Sequence, residues 1–365
     1  MKKKEIVIFM PSINGGGVEK NFFLITNYLS TRFNKISVIS LSKEYKKKLK
    51  PGIQFVSINI PLMKYLGRRT KFIICLLILL KKIIFHKNIT VFCFQGLAYC
   101  TIICKIFSKK IIIRSNSSPS GWSQNIFKKI LYKIVYNMAD KIIVNSIDFQ
   151  KELKKKFNLN SLCIYNPLNK EEIIRNSKKK IKIKFFKKGD FKIISVARFS
   201  EQKDHITIIK SINLLKEKYK NIKVLLIGSG EKKQEIKNMI NKFRLNKYLK
   251  ILFFKKNPYP FINKSDLFIL SSHFEGLPNV LLEAITLNKI VISSNCPTGP
   301  SEILDNGRGG LLFRVKDYKQ LSQKIIFAIK NKKKCSKKII FAKKRLQRFD
   351  YSKNMLKYFN VLNNI

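Results

Sequence analysis

The sequence predicts an α/β protein with mostly parallel sheets, divided into two similar halves. Three observations predict it. Short apolar runs alternate with helical stretches along most of the chain. The alternation breaks near Tyr165–Asn169 (YNPLN) and the charged segment Lys170–Lys188, then restarts. And 365 residues, at ~150 per domain, suit two domains. No repeat of 20–50 residues is evident.

In the first half, Glu5–Met10 is a buried-type strand, PSINGGG a glycine-rich turn and Val18–Ser30 a helix. Further strands are expected at Lys35–Leu41, Ile53–Ile58, Thr90–Phe94, Lys109–Ile113 and Lys141–Asn145. The second half gives strands at Lys192–Val196, Lys223–Ile227, Lys250–Phe254, Leu267–Leu270 and Ile290–Ser293, with helices starting at His205, Glu231 and Asn279. The lysine-rich C-terminus reads as helix. The expected domains are 1–167 and 168–345, with a C-terminal helix, 346–365, returning to the first.

Apolar residues (45%) and aromatics (12%) supply large cores and exclude a disordered chain. Lys and Arg number 75 against 21 Asp and Glu, a net charge of +54. That excess suits nucleic acid, an anionic membrane surface or a phosphorylated substrate. Only 11 of these cations are Arg, and Ile, Lys and Asn abound, so part of the excess fits A/T-biased codons. The seven cysteines form no C-x-x-C pair and no zinc spacing, which points to reduced thiols and a cytoplasmic protein. The opening lysines precede an apolar run, Ile6–Met10, too short for a signal peptide. FIICLLILL (72–80) falls short of the ~20 residues that span a bilayer.

The chemistry concentrates in Ser265–Leu287, SDLFILSSHFEGLPNVLLEAITL. A buried strand ends at Leu270, a loop carries Glu275-Gly276-Leu277-Pro278, and a helix starts near Asn279. Backbone N–H groups at such a start point toward the crevice where α/β sheets bind ligands, and they suit an anionic or hydroxyl-rich one. Glu275 and Glu283 could accept hydrogen bonds there from two sets of hydroxyls. Alternatively, they are a dipole-stabilising Glu and a solvated one.

EGLPNVLLEA (275–284) resembles the donor-site motif of the retaining glycosyltransferases of family 4, which have the GT-B fold. SVARFSEQKDH (195–205) resembles that family's Arg and Lys pair, and KVLLIGSGE (223–231) its next strand and turn. CPTGPSEIL with NGRGGLLF (296–313) resembles its Gly-Pro-x-Glu segment, and PSINGGGVEK (11–20) its first glycine-rich loop. The resemblance implies two Rossmann-like domains facing each other across a cleft. It implies a hexose or N-acetylhexosamine moved, with retention, from a nucleotide-sugar to a lipopolysaccharide, capsule or glycoprotein glycan.

On that resemblance Arg198 and Lys203 would clamp the diphosphate. Glu275, with Gly276, Leu277, Pro278 and Asn279, would hold the sugar, and Glu283 the ribose. Phe254 and Lys255 would flank the base, and Gly15, Gly16 and Gly17 would approach the phosphate from the first domain. Two departures stand out. The family's histidine near the anomeric carbon is absent from VFCFQGLA (91–98), leaving Gln95 as the acceptor-side candidate. Phe253 stands where a glycine is expected before the base-binding loop. No D-x-D occurs among the eight Asp, so cations and a helix N-terminus would replace a metal, with no cofactor beyond a donor expected to be UDP-linked.

His86 reads as solvated, His205 as structural and His273 as a packed loop residue or a donor contact. FIICLLILLKKIIFHK (72–87), with Lys71, Lys81, Lys82 and Lys87, is either a helix packed under the sheet or an element resting on anionic lipid. The expected partners are a glycan or lipid-linked acceptor and the anionic inner face of the cell membrane, with no specific nucleic acid. The alternatives are a sugar-nucleotide epimerase or phosphorylase on the same architecture, or a basic nucleic-acid-binding protein. The last predicts Arg and aromatics clustered on one element; here Lys is dispersed.

Overall fold

The computed structural model describes residues 5–13, 16–58, 67–116 and 126–365. The chain divides into two units, 1–167 with 351–365, and 168–350.

In the first unit β1 (Glu5–Phe9), α1 (Gly17–Leu29), β2 (Lys35–Ile39) and β3 (Gln54–Val56) are followed by α2 (Arg68–Phe85) and β4 (Ile89–Cys93). Then come α3 (Leu97–Ile106), β5 (Lys110–Arg114), α4 (Ile126–Met138), β6 (Lys141–Val144), α5 (Ile147–Phe157) and β7 (Leu162–Cys163). The strands form one parallel sheet in the order β3-β2-β1-β4-β5-β6-β7. Helices cover both faces, so central strands such as EIVIF read as continuous buried runs. The second unit runs α6 (Lys170–Ser177), β8 (Phe191–Val196), α7 (His205–Leu215), β9 (Ile222–Gly228), α8 (Lys233–Lys242), β10 (Leu249–Phe253) and α9 (Tyr259–Asn263). It continues with β11 (Leu267–Leu270), α10 (Asn279–Thr286), β12 (Ile290–Ser294), α11 (Pro300–Ile303), β13 (Leu311–Phe313), α12 (Tyr318–Lys330) and α13 (Lys332–Arg345). Its parallel sheet has the order β10-β9-β8-β11-β12-β13.

Local chemistry sets the boundaries. Ser146 caps α5 by accepting from the Phe149 N–H, Lys154–Lys156 crowd its last turn, and Asn158 closes it at φ 54°. β7 and β13, two and three residues long, add edge strands that the sequence reading lacks. The C-terminal segment turns at Leu346–Phe349, whose Leu346 and Phe349 are buried in the second unit. Only from Tyr351 does the chain belong to the first unit, rather than from 346. There α14 (Tyr351–Asn363) buries Met355, Tyr358 and Leu362 against α1 and the sheet. The buried Arg114 ties it in, donating through Nε to the Tyr358 hydroxyl at 2.8 Å and through an Nη to Asn166 Oδ1 at 2.6 Å.

Helix α2 lays Cys75, Leu79 and Ile83 on the core of the first sheet. Lys82 lies on this inner side too, buried, with its Nζ 2.6 Å from Glu5 Oε1, so it is no surface cation. Lys35 reaches the other Glu5 oxygen at 2.9 Å. Burial raises the Glu5 pKa, but hydrogen bonds from Lys82, Ser37 and Lys35 outweigh it and bring the carboxyl down to about 2. No helix among the described residues is long and apolar enough to cross a membrane. All seven cysteines are free.

Candidate active site

The second sheet changes direction between β8 and β11, because β9 and β10 extend one way from β8 while β12 and β13 extend the other from β11. At such a switch point the loops leaving the two central strands diverge and open a crevice. The loop after β8 carries Arg198 and Lys203; the loop after β11 carries Glu275.

These loops are laced together. Lys203 Nζ donates to Glu275 Oε1, which also accepts from Ser272 Oγ at 2.6 Å. Glu275 is buried, 8% exposed, so its charge needs this neutralisation. Ser271 Oγ lies 2.9 and 2.8 Å from the carbonyls of Lys203 and Asp204. Gln202 Nε2 donates to the Phe274 carbonyl at 2.7 Å, and the His273 N–H to the Gln202 carbonyl at 2.8 Å. His273 Nε2 stands 3.1 Å from Asp204 Oδ2. Asp204, held at φ 42°, caps α7 by accepting from the Thr207 N–H at 3.1 Å.

Close backbone packing fixes both loops from behind. A Cβ on Gly228 would lie 2.0 Å from the Ala197 carbonyl oxygen, so the turn after β9 holds the Arg198 loop directly. Gly299, at φ +88°, leaves no room for a Cβ, which would meet the Gly276 carbonyl oxygen at 2.2 Å. Thr298 Oγ1 donates to the Glu275 carbonyl. The loop after β12 thus buttresses the loop after β11.

Arg198 is exposed and makes no ion pair with a described residue. Gly276, Leu277 and Pro278 are buried between Glu275 and the start of α10 at Asn279. Glu283 is buried on α10 and its Oε1 lies 3.3 Å from the Tyr259 hydroxyl. Phe254 and Lys255 follow β10 on an exposed loop; beside them Lys233 Nζ stands 3.9 Å from the centre of the Phe253 ring. His205 is buried edge-on to Phe199, ring centroids 5.0 Å apart, and burial with the nearby Lys203 brings its pKa down to about 3. Burial, with a smaller contribution from Glu275, pushes the Cys296 thiol up to about 12, an unreactive state. Among the described residues no three His, Cys, Asp or Glu are grouped to hold a metal.

In the first unit the switch point lies between β1 and β4. Gly15 falls outside the described residues; Gly16 and Gly17 open α1. Gln95, the acceptor-side candidate, is tied to the loop after β1. Its Oε1 accepts from the Ser12 N–H at 3.3 Å and its Nε2 donates to the Ser12 carbonyl at 2.9 Å. Both ends of the amide brace the loop after β1.

Ser271 and Ser272 escape sequence reasoning as site-builders; their one signal is a pair of hydroxyl residues directly after a buried apolar run, in LSS (270–272). Thr298 and Gly299 fall in the segment CPTGPSEIL, which the sequence singles out without giving either residue a role.

Comparison with known proteins agrees with this geometry. Residues 176–345 match the family described as glycosyl transferases group 1. An N-acetylgalactosamine-N,N'-diacetylbacillosaminyl-diphospho-undecaprenol 4-alpha-N-acetylgalactosaminyltransferase of Campylobacter jejuni is 26% identical, over 97% of this chain and 99% of its own. An uncharacterized glycosyltransferase of Methanocaldococcus jannaschii is 34% identical over 54% of this chain, which spans half of that relative's length. Shorter matches run to glycosyltransferases of capsule and lipopolysaccharide-core biosynthesis. The crystal structure of Anabaena HepE in complex with UDP and glucose superposes with TM-score 0.79 at 18% identity, covering 99% of this chain and 100% of that one. The fold is therefore the GT-B fold of these solved glycosyltransferases, and the second unit is similar to the glycosyl transferases group 1 family. Several of the relatives are named for capsule or lipopolysaccharide-core biosynthesis.

Proposed function

We propose that this chain is a retaining, metal-independent hexosyl- or N-acetylhexosaminyltransferase of family 4. It takes its sugar from a UDP-linked donor and passes it to a lipid-linked glycan at the cytoplasmic face of the membrane. One observation carries the reading: a basic and an acidic side chain, Lys203 and Glu275, meet at the switch point of the second sheet, with Arg198 on the same loop as the lysine.

As the glycosidic bond breaks, the departing diphosphate gains negative charge, and fixed cations stabilise it. Arg198 offers a planar fork and Lys203 three mobile N–H donors, enough to hold Glu275 and a phosphate oxygen together. Glu275 accepts from sugar hydroxyls, the N-terminus of α10 adds its amides, and Glu283 takes the ribose. The acceptor hydroxyl attacks the anomeric carbon from the leaving-group side. The bond from that carbon to the phosphate oxygen breaks, and the hydroxyl proton passes to that oxygen. The products are the glycoside and free nucleoside diphosphate. The neighbour crystallised with UDP and glucose supports a UDP donor, and the Campylobacter relative, named for a diphospho-undecaprenol substrate, supports a lipid-linked acceptor. The net charge of +54 supports peripheral attachment to an anionic leaflet.

A thermal-shift panel of UDP-, GDP- and dTDP-sugars, with and without EDTA, tests donor class and metal dependence together. A bound donor raises the melting temperature by mass action. Stabilisation confined to UDP-sugars and unchanged by EDTA is expected. Stabilisation that EDTA removes, or that GDP-sugars alone give, would overturn that part of the reading.

A further inference from the structure

Every second residue of the loop after β11, from Ser271 through His273 to Glu275, reaches the same two residues of the loop after β8. Glu275 takes the Lys203 ammonium, and Ser271 Oγ sits 2.9 and 2.8 Å from the Lys203 and Asp204 carbonyls. His273 brings its buried Nε2 to 3.1 Å from Asp204 Oδ2. Alternate side chains of an extended segment point to one side, so the three face the lysine loop together. Glu275 and Ser271 have tasks in the site described above. His273 has none there, and its contact falls on the residue directly after the lysine.

That residue, Asp204, stands at φ 42°, a left-handed conformation that Asp tolerates better than most residues but seldom adopts. Before it lies a single 3₁₀ turn, Glu201–Lys203, and after it α7 begins at His205. Asp204 therefore keeps the turn from running on into the helix. Were it to relax to the right-handed conformation, α7 would gain residues at its start and carry Lys203 round the helix axis, away from Glu275. A conformation of this kind persists only where the surroundings over-determine it. Here the Asp204 carboxylate accepts from the Thr207 N–H at 3.1 Å and from Thr207 Oγ1 at 2.6 Å, with His273 beside it. Thr207 belongs to α7 and moves with it. Of these partners only His273 ties the carboxylate to the loop that carries Glu275.

We propose that His273 and Asp204 are positioning residues for Lys203. The imidazole holds the Asp204 carboxylate, the carboxylate keeps its own backbone left-handed, and the lysine before it is aimed into the crevice. Neither side chain touches the donor. The inference rests on the reading of Lys203 as a ligand of the donor's diphosphate.

Titration with UDP and with GDP, on wild type and on single and combined variants, tests it. His273→Ala should weaken binding of the preferred diphosphate and lower kcat/KM for the donor by about tenfold to a hundredfold, the scale on which a misplaced contact acts, with KM for the acceptor unchanged. His273→Gln should restore most of the affinity, since its amide can donate to Asp204. Asp204→Asn, which still tolerates a positive φ and still caps α7, should lose less than Asp204→Ala. The deciding background is Lys203→Ala. There His273→Ala should cost no further affinity, because the two residues act through one contact. An undiminished effect in that background would make His273 a donor ligand and overturn the proposal. So would wild-type affinity in His273→Ala, whether or not its melting temperature falls. If Asp204→Ala fails to fold, the two His273 variants carry the test, since His273 caps no helix. Wild-type affinity in His273→Ala beside a weakened Lys203→Ala would strike this proposal alone. Wild-type affinity in Lys203→Ala would strike the diphosphate reading and the proposal with it.

Discussion

The two sheets share one plan, with a central pair of strands, β1/β4 and β8/β11, from which the rest extend in opposite directions. At the first, a neutral amide, Gln95, ties one loop to the backbone of the other through Ser12. At the second, Lys203 and Glu275 join the loops by an ion pair, and hydroxyls of Ser271, Ser272 and Thr298 add hydrogen bonds around it. The same topology thus yields a neutral, backbone-braced opening in one unit and a charged one in the other. On the proposed function, the diphosphate of the donor goes to the second and the alcohol of the acceptor to the first. Surfaces divide the other way. Exposed large apolar residues of the second unit, such as Leu214 and Ile340, lie on separate elements, whereas those of the first run along α2 to α4.

The largest expected effect comes from removing the charge at the second switch point. Glu275→Ala should lower turnover by about a hundred- to a thousandfold, the scale on which single preorganised contacts act. Release of nucleoside diphosphate from the preferred sugar donor measures it. Lys203→Ala should weaken nucleoside diphosphate binding in a titration. Normal turnover and binding in both would end the contrast between the two crevices.

Gly299→Ala tests the buttress behind Glu275. Its Cβ would fall 2.2 Å from the Gly276 carbonyl oxygen at a φ of +88°. The loop must shift, at a cost of about 2 kcal/mol or more in denaturant unfolding. Next comes His205. Its folded pKa is about 3 against an ordinary 6.5, so below pH 6.5 the unfolded chain gains protons that the folded one does not. Stability is therefore full above 6.5 and falls as pH drops toward 3, by roughly 2 kcal/mol at about pH 5. His205→Leu should flatten this slope in unfolding curves across that window. An unchanged slope would show that the buried ring is not what titrates.

Much of the frame was legible because buried parallel strands leave long apolar runs between turn residues. Leu267–Leu270 and the helix start at Asn279 agree with the structure to the residue. β7 and β13 are too short to show a period, and their pairing is decided by neighbours. The same distinction separates the site residues. Lys203 and Glu275 lie inside motifs that resemble a family, and the structure brings them into contact. No motif gives Ser272 or Thr298 a role: the Ser272 bond forms within the loop after β11, and that of Thr298 only once the loop after β12 meets it. Lys82 reads as one more surface cation until Glu5, far off in sequence, proves to be its partner.

Gln95 gives the smallest expected effect and the sharpest test of the neutral crevice. If it braces Ser12, Gln95→Ala removes two part-buried hydrogen bonds, each contributing about 0.5–1.5 kcal/mol. Unfolding should then register a loss of about 1–2 kcal/mol, with KM for donor and acceptor little changed. Gln95→Glu should cost more than Gln95→Ala. A carboxylate still accepts from the Ser12 N–H but faces the Ser12 carbonyl with no proton to offer. A residue that instead touched the acceptor would behave in the opposite way. Its alanine variant would keep its stability and lose kcat/KM for the acceptor, and glutamate, able to accept from a hydroxyl, would rescue part of it. Ranking the two variants by stability and by acceptor kinetics therefore decides whether the first crevice is braced by Gln95 or armed with it.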